Sequence, residues 1–274
     1  MCLIVFDWRP GGAVPLRLAA NRDEFHERPS AALHVWRDAP DILGGRDLRA
    51  GGTWLAGHRR GRLAAVTNVR APEFEAPAQG HSRGELARHA LECDSLEKWL
   101  HGLERKAAYC YAGFNLLASD GRILWHLHHG PSGTRLQEVA PGLHGLSNAT
   151  LDTPWPKLLR SRQRLATATR AETGRDGSET FAARAWALLA DDARATDAQL
   201  PDTGVGLELE RFLSAPFIVG DEYGTRASTW VRWEAESGIA IGERAFGPLG
   251  RLLEERQCRL DVPPLPVDRR PIAR

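Results

Sequence analysis

The sequence is poor in the residues that would place it in a specialised class. Four cysteines in 274 residues do not make a disulfide scaffold. No apolar run approaches the roughly 18 residues that span a bilayer, so integral membrane association is not expected. Charge of one sign is also missing: 36 Lys and Arg stand against 35 Asp and Glu, a net charge of +1. Such a chain has no field for holding a phosphate backbone, and nucleic acid is not an expected partner. Only Lys98, Lys106 and Lys157 among the basic residues are lysine, a skew that base composition alone can produce. The apolar start Cys2 to Phe6 lacks a basic leader and is interrupted by Asp7, Arg9 and Pro10, so a cytoplasmic protein is expected.

Cofactor signatures are absent too. Gly44-Gly45 and Gly51-Gly52 have neither phosphate-loop nor dinucleotide-binding spacing. Trp125-His-Leu-His-His129 offers His126 and His128 on one strand face, two ligands where a structural zinc site needs four. No metal and no cofactor are expected, and these histidines read as a solvated strand end. Cys93, Cys110 and Cys258 have no acid or base pattern around them and read as inert; Trp99 and Trp186 fall on apolar helix faces and read as core.

What is present is a sequence of short apolar segments. Cys2 to Trp8 and Val14 to Ala20 read as two strands joined at Pro10-Gly-Gly12. Arg28 to Gly45 reads as a long loop, and Gly52 to Ala56 with Arg62 to Asn68 as a second strand pair. Ser82-Arg-Gly-Glu85 has capping-box form before one amphipathic helix, and Asp94-Ser-Leu-Glu97 before another. Ala112 to Ala118 and Arg122 to His128 read as a hairpin with a type I′ turn at Asp120-Gly121. A helix is expected from Pro154 and Pro156 to about Arg170, a loop over 171–179, and a helix around Phe181 to Leu189. Ala215 to Val219, Tyr223 to Glu234 and Ile239 to Ala245 read as strands, and the tail from Val262 as extended or frayed. The order strands, helices, strands, helices, strands is not β-α-β alternation. It predicts an α+β fold, a four-layer αββα sandwich of two largely antiparallel sheets. One domain is expected over 1–260, followed by a tail over 261–274.

Chemistry concentrates at the front. Standing alone, Cys2 reads as a small apolar residue opening an edge strand. If Met1 is removed, however, its thiol sits beside a free α-amine of ordinary pKa about 7.7 to 8.0. That amine can take the thiol proton and return it to a leaving group, so one residue supplies nucleophile and base. Antiparallel pairing brings Asn21-Arg22-Asp23-Glu24 back beside Cys2. Arg22 is expected to lower the thiol pKa and Asp23 to hold the amine.

Asn21-Arg22-Asp23-Glu24 resembles the signature of the NRDE family, also called the transport-and-Golgi-organisation family. Met1-Cys2, Gly51-Gly-Thr-Trp-Leu55, Thr67-Asn68-Val-Arg70, Phe114-Asn-Leu-Leu117, Gly145-Leu-Ser-Asn-Ala149, Leu151-Asp-Thr-Pro-Trp-Pro-Lys157 and Tyr223-Gly-Thr-Arg226 match it in order. Ala227 departs from it, where a Ser is expected before Ser228. The resemblance implies likeness to N-terminal-nucleophile hydrolases of the choloylglycine-hydrolase and penicillin-acylase type. Cys2 then matches the nucleophile, Asp23 the amine-orienting acid, Arg22 the tuning Arg, and Asn68 and Asn148 the oxyanion side. Asn21, Glu24, Trp54 and Arg226 are implied as substrate contacts, Arg226 as a pocket wall or a carboxylate partner. The expected function is a Cys-dependent hydrolase or acyltransferase acting on a small amide or related acyl bond. The alternative is a non-catalytic carrier of a hydrophobic or haem-like ligand on the same fold.

Overall fold

The computed structural model describes residues 2–74, 77, 80–170 and 177–265. Met1, most of the expected loop over 171–179 and most of the tail lie outside the described residues.

The chain opens with β1 (Cys2–Trp8), β2 (Leu16–Phe25), β3 (Ser30–Val35), β4 (Ile42–Asp47), β5 (Leu55–His58) and β6 (Arg62–Asn68). Two helices follow, α1 (Arg83–Glu92) and α2 (Leu96–Gly102). Then come β7 (Phe114–Ser119), β8 (Leu124–Gly130), β9 (Gly133–Glu138) and β10 (Gly142–Leu146). Helices α3 (Pro156–Arg170), α4 (Gly177–Leu189) and α5 (Leu207–Leu213) lead to β11 (Tyr223–Glu234), β12 (Gly238–Phe246) and β13 (Leu252–Leu260).

The strands form two antiparallel sheets. The first, in order β10-β1-β2-β11-β12-β13, draws on both ends of the chain. The second runs β3 to β9 in sequence order, a meander. Period-two alternation on β1 explains the layering. Ile4, Phe6 and Trp8 point between the sheets, while Leu3 and Val5 pack with Leu158, Leu165 and Phe181 of α3 and α4. On the other side Ala64, Val66, Leu116 and Leu127 pack under Leu86, Leu91 and Leu100 of α1 and α2. Helix, sheet, sheet, helix is the expected α+β architecture. Each fully buried side chain such as Leu3 or Phe6 contributes about 1.5–3 kcal/mol to holding these layers together.

Several local expectations are corrected. Arg28 to Gly45 is not a loop throughout: β3 and β4 pair there, because Leu33, Ile42 and Leu43 find a core to enter. Strands β9, β10 and β13 were not anticipated, and two of them are exposed or half-buried along most of their length, which removes the alternation signal. Ala215 to Val219 is irregular; its buried residues fill space after α5 without pairing. The β7–β8 connection is a four-residue Asx turn in which Asp120 accepts from Arg122 and Ile123 amides, and only Gly121 has positive φ. Ser82 does not cap α1 with its side chain, and Glu85 faces His81 instead. Ser95 caps α2 through the Lys98 amide. The start of the tail is docked: Val262 and Leu265 pack on the core and the Leu265 amide donates to Ala235 O at 2.8 Å.

Candidate active site

Register places the site. Cys2 pairs with Arg22 across β1 and β2, and Thr225 with Asp23 across β11 and β2. By alternation Cys2 shares the inner face with Ile4 and Phe6, so the first strand delivers its thiol to the space between the sheets. A cavity of about 640 Å³ opens there. Its wall includes Cys2, Arg22, Asp23, Glu24, Trp54 and Asn68, and on the far side Ser82, Arg83 and Gly84 at the start of α1.

The same alternation splits Asn21-Arg22-Asp23-Glu24. Arg22 is 8% exposed, with its guanidinium stacked 4.7 Å from the Trp54 ring centroid and its Nη2 3.7 Å from Glu24. Trp54 is accommodated by Gly45, where any Cβ would lie 2.3 Å from the indole. Asn21 turns toward the helix layer. Its Nδ2 donates to Leu189 O and Pro216 O, and its Oδ1 accepts from Ser228. Ala227 pairs with Arg22 on the opposite face, so its missing hydroxyl does not touch this contact. Asn21 is a brace between β2, α4 and β11, not part of the main cavity wall.

Arg226 also stands apart. The β2–β11 register shifts between Thr225 and Ala227, so Arg226 is the extra residue of a bulge, which redirects a side chain. Its Nη1 donates to the carbonyls of Phe25, His26 and Arg28, and its Nε to Phe246 O. Here the arginine fastens the chain leaving β2. It does not line the cavity.

Beneath Cys2 the charges are coupled. Asp23 accepts from the Thr225 hydroxyl at 2.7 Å, and Tyr223 donates to Asp23 O at 3.2 Å. Burial raises the Asp23 pKa, against the opposing pull of Lys157 and Arg22. Lys157 of α3 is fully buried and donates to Leu213 O at 3.0 Å. Burial lowers its pKa to about 8, although Asp23 and Cys2 favour its charge. The Cys2 thiol is pushed up by burial and by the Asp23 charge. Arg22 acts in the expected direction but does not outweigh burial.

The two asparagines meet. Asn148 Nδ2 donates to both Asn68 O and Asn68 Oδ1 at 2.9 Å, and Asn148 Oδ1 accepts from the Cys2 amide at 3.4 Å. Ser147 Oγ donates to Cys2 O at 2.9 Å. Asn148 thus holds the backbone of Cys2 and is fastened to Asn68 through both Asn68 oxygens. Sequence reading passed over Arg83 and Lys157. Lys157 lay inside a quoted motif, but its burial depends on α5, which carries no sequence signal of its own.

A second polar cluster corrects the histidine reading. His126, His128 and His129 are buried, at 2%, 7% and 2% exposure: β8 is an interior strand between β7 and β9, and Phe74, Tyr109 and Phe114 pack against His129. His126 Nε2 and His128 Nδ1 both bond Asn115 Oδ1, at 3.0 and 2.8 Å. Asn115 Nδ2 donates to Thr67 and to Ala149 O. Among the described residues no group of three or more His, Cys, Asp or Glu converges as a metal site.

The family model for Transport and Golgi organisation 2 matches residues 1–248. The chain belongs to that family. The bovine Transport and Golgi organization protein 2 homolog is 36% identical over 269 residues, covering 90% of this chain and 93% of the relative. The human homolog is 35% identical over 264 residues, with the same coverage. Among solved structures, a conjugated bile acid hydrolase from Clostridium perfringens, in its C2A form, covers 94% of this chain and 92% of its own. Its TM-score is 0.50 at 7% identity, a likeness of fold that agrees with the N-terminal-nucleophile-like sandwich. No described helix is long and apolar enough to cross a membrane.

Proposed function

We propose that this member of the Transport and Golgi organisation 2 family is an N-terminal-nucleophile hydrolase or acyltransferase acting on a small amide or thioester. One observation carries the reading. Cys2 stands at the wall of a 640 Å³ cavity, with its backbone nitrogen directed at Asn148 Oδ1 and with buried Asp23 close by.

Once Met1 is removed, the backbone nitrogen of Cys2 is an α-amine. It takes the thiol proton, the sulfur attacks the acyl carbon, and the carbonyl oxygen becomes an oxyanion. We assign that oxyanion to the side of the cavity where Asn68 and Asn148 meet. Collapse expels the amine or thiol leaving group, which takes the proton from the α-ammonium. Water, or an acceptor amine or thiol, then attacks the thioester and regenerates Cys2. Asp23 keeps the ammonium favourable during the proton's stay there, and Lys157 keeps Asp23 ionised. Burial holds the thiol neutral at rest, so ionisation waits for the amine. A bile acid hydrolase was crystallised with its own Cys2 replaced by alanine, and that placement of a cysteine supports the assignment.

The test is intact mass followed by a panel of small amides and thioesters. Mature protein is expected to lack Met1, and Cys2→Ala to abolish turnover while retaining fold and ligand binding. Soluble, folded protein that keeps Met1, or turnover that survives Cys2→Ala, overturns the reading. Binding that persists without any turnover in the wild type favours a carrier.

A further inference from the structure

The cavity wall at the start of α1 is built by close backbone contact. A Cβ on Gly52 would lie 2.4 Å from the Gly84 carbonyl carbon, and the Thr53 amide donates to Gly84 O at 3.1 Å. This contact brings Arg83, the first residue of α1, into the cavity beside Cys2. Its Nη1 donates to Gly113 O at 3.2 Å, and it forms no ion pair among the described residues. The acids of the cavity are occupied elsewhere. Asp47 takes Arg28 Nε at 3.0 Å and Nη2 at 2.6 Å, and Glu24 lies between Arg22 and Arg28.

Two further observations point the same way. Arg22, more than nine-tenths buried and lining the same cavity, has an Nη1 with no hydrogen-bond partner. The first turn of α1 has no side-chain cap, and Ser82, Arg83 and Gly84 at its start line the cavity. A buried guanidinium nitrogen without an acceptor is costly, and an incoming anion is a group that relieves it. A helix start adds donors of the same sense.

We infer that the ligand of this cavity carries a compact anion, a carboxylate or a phosphate, received by Arg83 and the start of α1 with Arg22 beside them. The inference rests on the reading that this cavity receives the substrate of Cys2, and it narrows that substrate to an anionic acyl compound. Planar, forked donors favour such a group over a diffuse charge.

Iodoacetate and iodoacetamide test it, being of similar size and differing in charge, with labelling of Cys2 followed by peptide mass. The ratio of the two rates cancels any change in the thiolate fraction. Arg83→Gln is expected to lower the iodoacetate-to-iodoacetamide ratio about tenfold, the scale of one charged hydrogen bond, and Arg83→Lys to lower it less. A ratio unchanged in Arg83→Gln overturns the inference. Should that variant not fold, the wild type decides. Hexanoate or hexyl phosphate is expected to protect Cys2 at concentrations where hexanamide does not, and the better protector identifies the headgroup. Equal protection by all three, or none, overturns the anion site. A Cys2 inert to both reagents counts against the nucleophile alone. The anion site is then read from the Arg83 Nε–H resonance on titration with the two anions, and no shift with either overturns it.

Discussion

Two buried polar clusters sit on the inner framework of this fold, and they follow opposite rules. Around Cys2 stand Arg22, Asp23 and Lys157, charged groups beside a cavity, and burial displaces the pKa values of Cys2, Asp23 and Lys157. Around Asn115 stand His126 and His128, neutral, with the amide oxygen shared between them and the amide nitrogen donating twice. The tautomers follow from that amide. Its nitrogen end is fixed by Thr67 and Ala149 O, so its oxygen accepts and both ring nitrogens facing it carry protons. The clusters touch, since Ala149 follows Asn148. Polarity and burial are common to both, so neither marks a site. A bordering cavity is common too, of about 640 Å³ at Cys2 and about 410 Å³ at His126 and His128. Imbalance distinguishes them: the histidine cluster matches donors to acceptors, and the cluster at Cys2 keeps charge in reserve.

The comparison breaks if Asp23 is dispensable. Asp23→Asn keeps the shape and the bond to Thr225 but removes the charge that favours the α-ammonium. Turnover of any amide or thioester the wild type hydrolyses is expected to fall by about 10²–10⁴, the range for a proton-transfer step. Steady-state kcat on that substrate checks it, and a fall below threefold removes Asp23 from the mechanism. For the satisfied cluster the corresponding change is structural. Asn115→Leu leaves two buried ring N–H groups and the Ala149 carbonyl without partners, at about 1–3 kcal/mol each before relaxation. A loss of about 3 kcal/mol is expected in urea unfolding at unchanged slope. Less than 1 kcal/mol would mean that water fills the gap.

How much of this was legible in the sequence follows from the same contrast. Arg22 and Asp23 reach Cys2 because strand register is local arithmetic, a hairpin at residues 9–15 returning Arg22 to Cys2. Asn148, by contrast, arrives through the pairing of β10 with β1 and Asn68 from the second sheet, and only the motif resemblance pointed to them. Alternation then dictates that Asn21 and Arg22 face opposite layers, although a tetrapeptide read as one unit hides this. Arg226 was misplaced because a bulge shifts the period by one residue, and no residue type announces a bulge there. The histidines read as solvated in the sequence because β9, which makes β8 an interior strand, has little apolar pattern. Arg83 was missed because its meaning comes from Gly52 approaching Gly84, a contact between segments 32 residues apart.

A buried acid lies near both regimes and sharpens the comparison. Glu243 on β12 accepts from the Leu33 amide at 2.7 Å and the Thr229 hydroxyl at 3.1 Å. Burial raises its pKa to about 7, with those bonds and Arg22 opposing. The folded state therefore holds a proton that the unfolded state has lost between about pH 4.5 and 7, and stability contributed by this group falls as pH rises through that window. Glu243→Gln is expected to stabilise the protein by about 2 kcal/mol at pH 8 and by nothing measurable at pH 4. Equal stability at pH 8 would place Glu243 among the balanced groups.

The smallest effect has the opposite sign, and that is why it must be measured in the Glu243→Gln background. Burial lowers the pKa of His126 to about 3 and lowers those of His128 and His129. The unfolded chain protonates these rings near pH 6.5 while the folded protein keeps them neutral, so stability falls as pH drops below that value. Each histidine that stays neutral contributes a slope of about 1.4 kcal/mol per pH unit. In the wild type, Glu243 contributes a slope of similar size and opposite sign over much of the same range, and the two mask each other. Between pH 6 and 5, Glu243→Gln is expected to lose at least about 1.4 kcal/mol, and adding His126→Asn to remove about one histidine's share of that loss. His26 and His58, whose pKa values burial also lowers, share in that loss, so the difference made by His126→Asn is the part that belongs to the cluster; His144 does not, because its pairing with Asp152 raises its pKa. A flat profile in Glu243→Gln would mean that the Asn115 cluster accepts a proton without strain, and the distinction between the two clusters would then be one of degree.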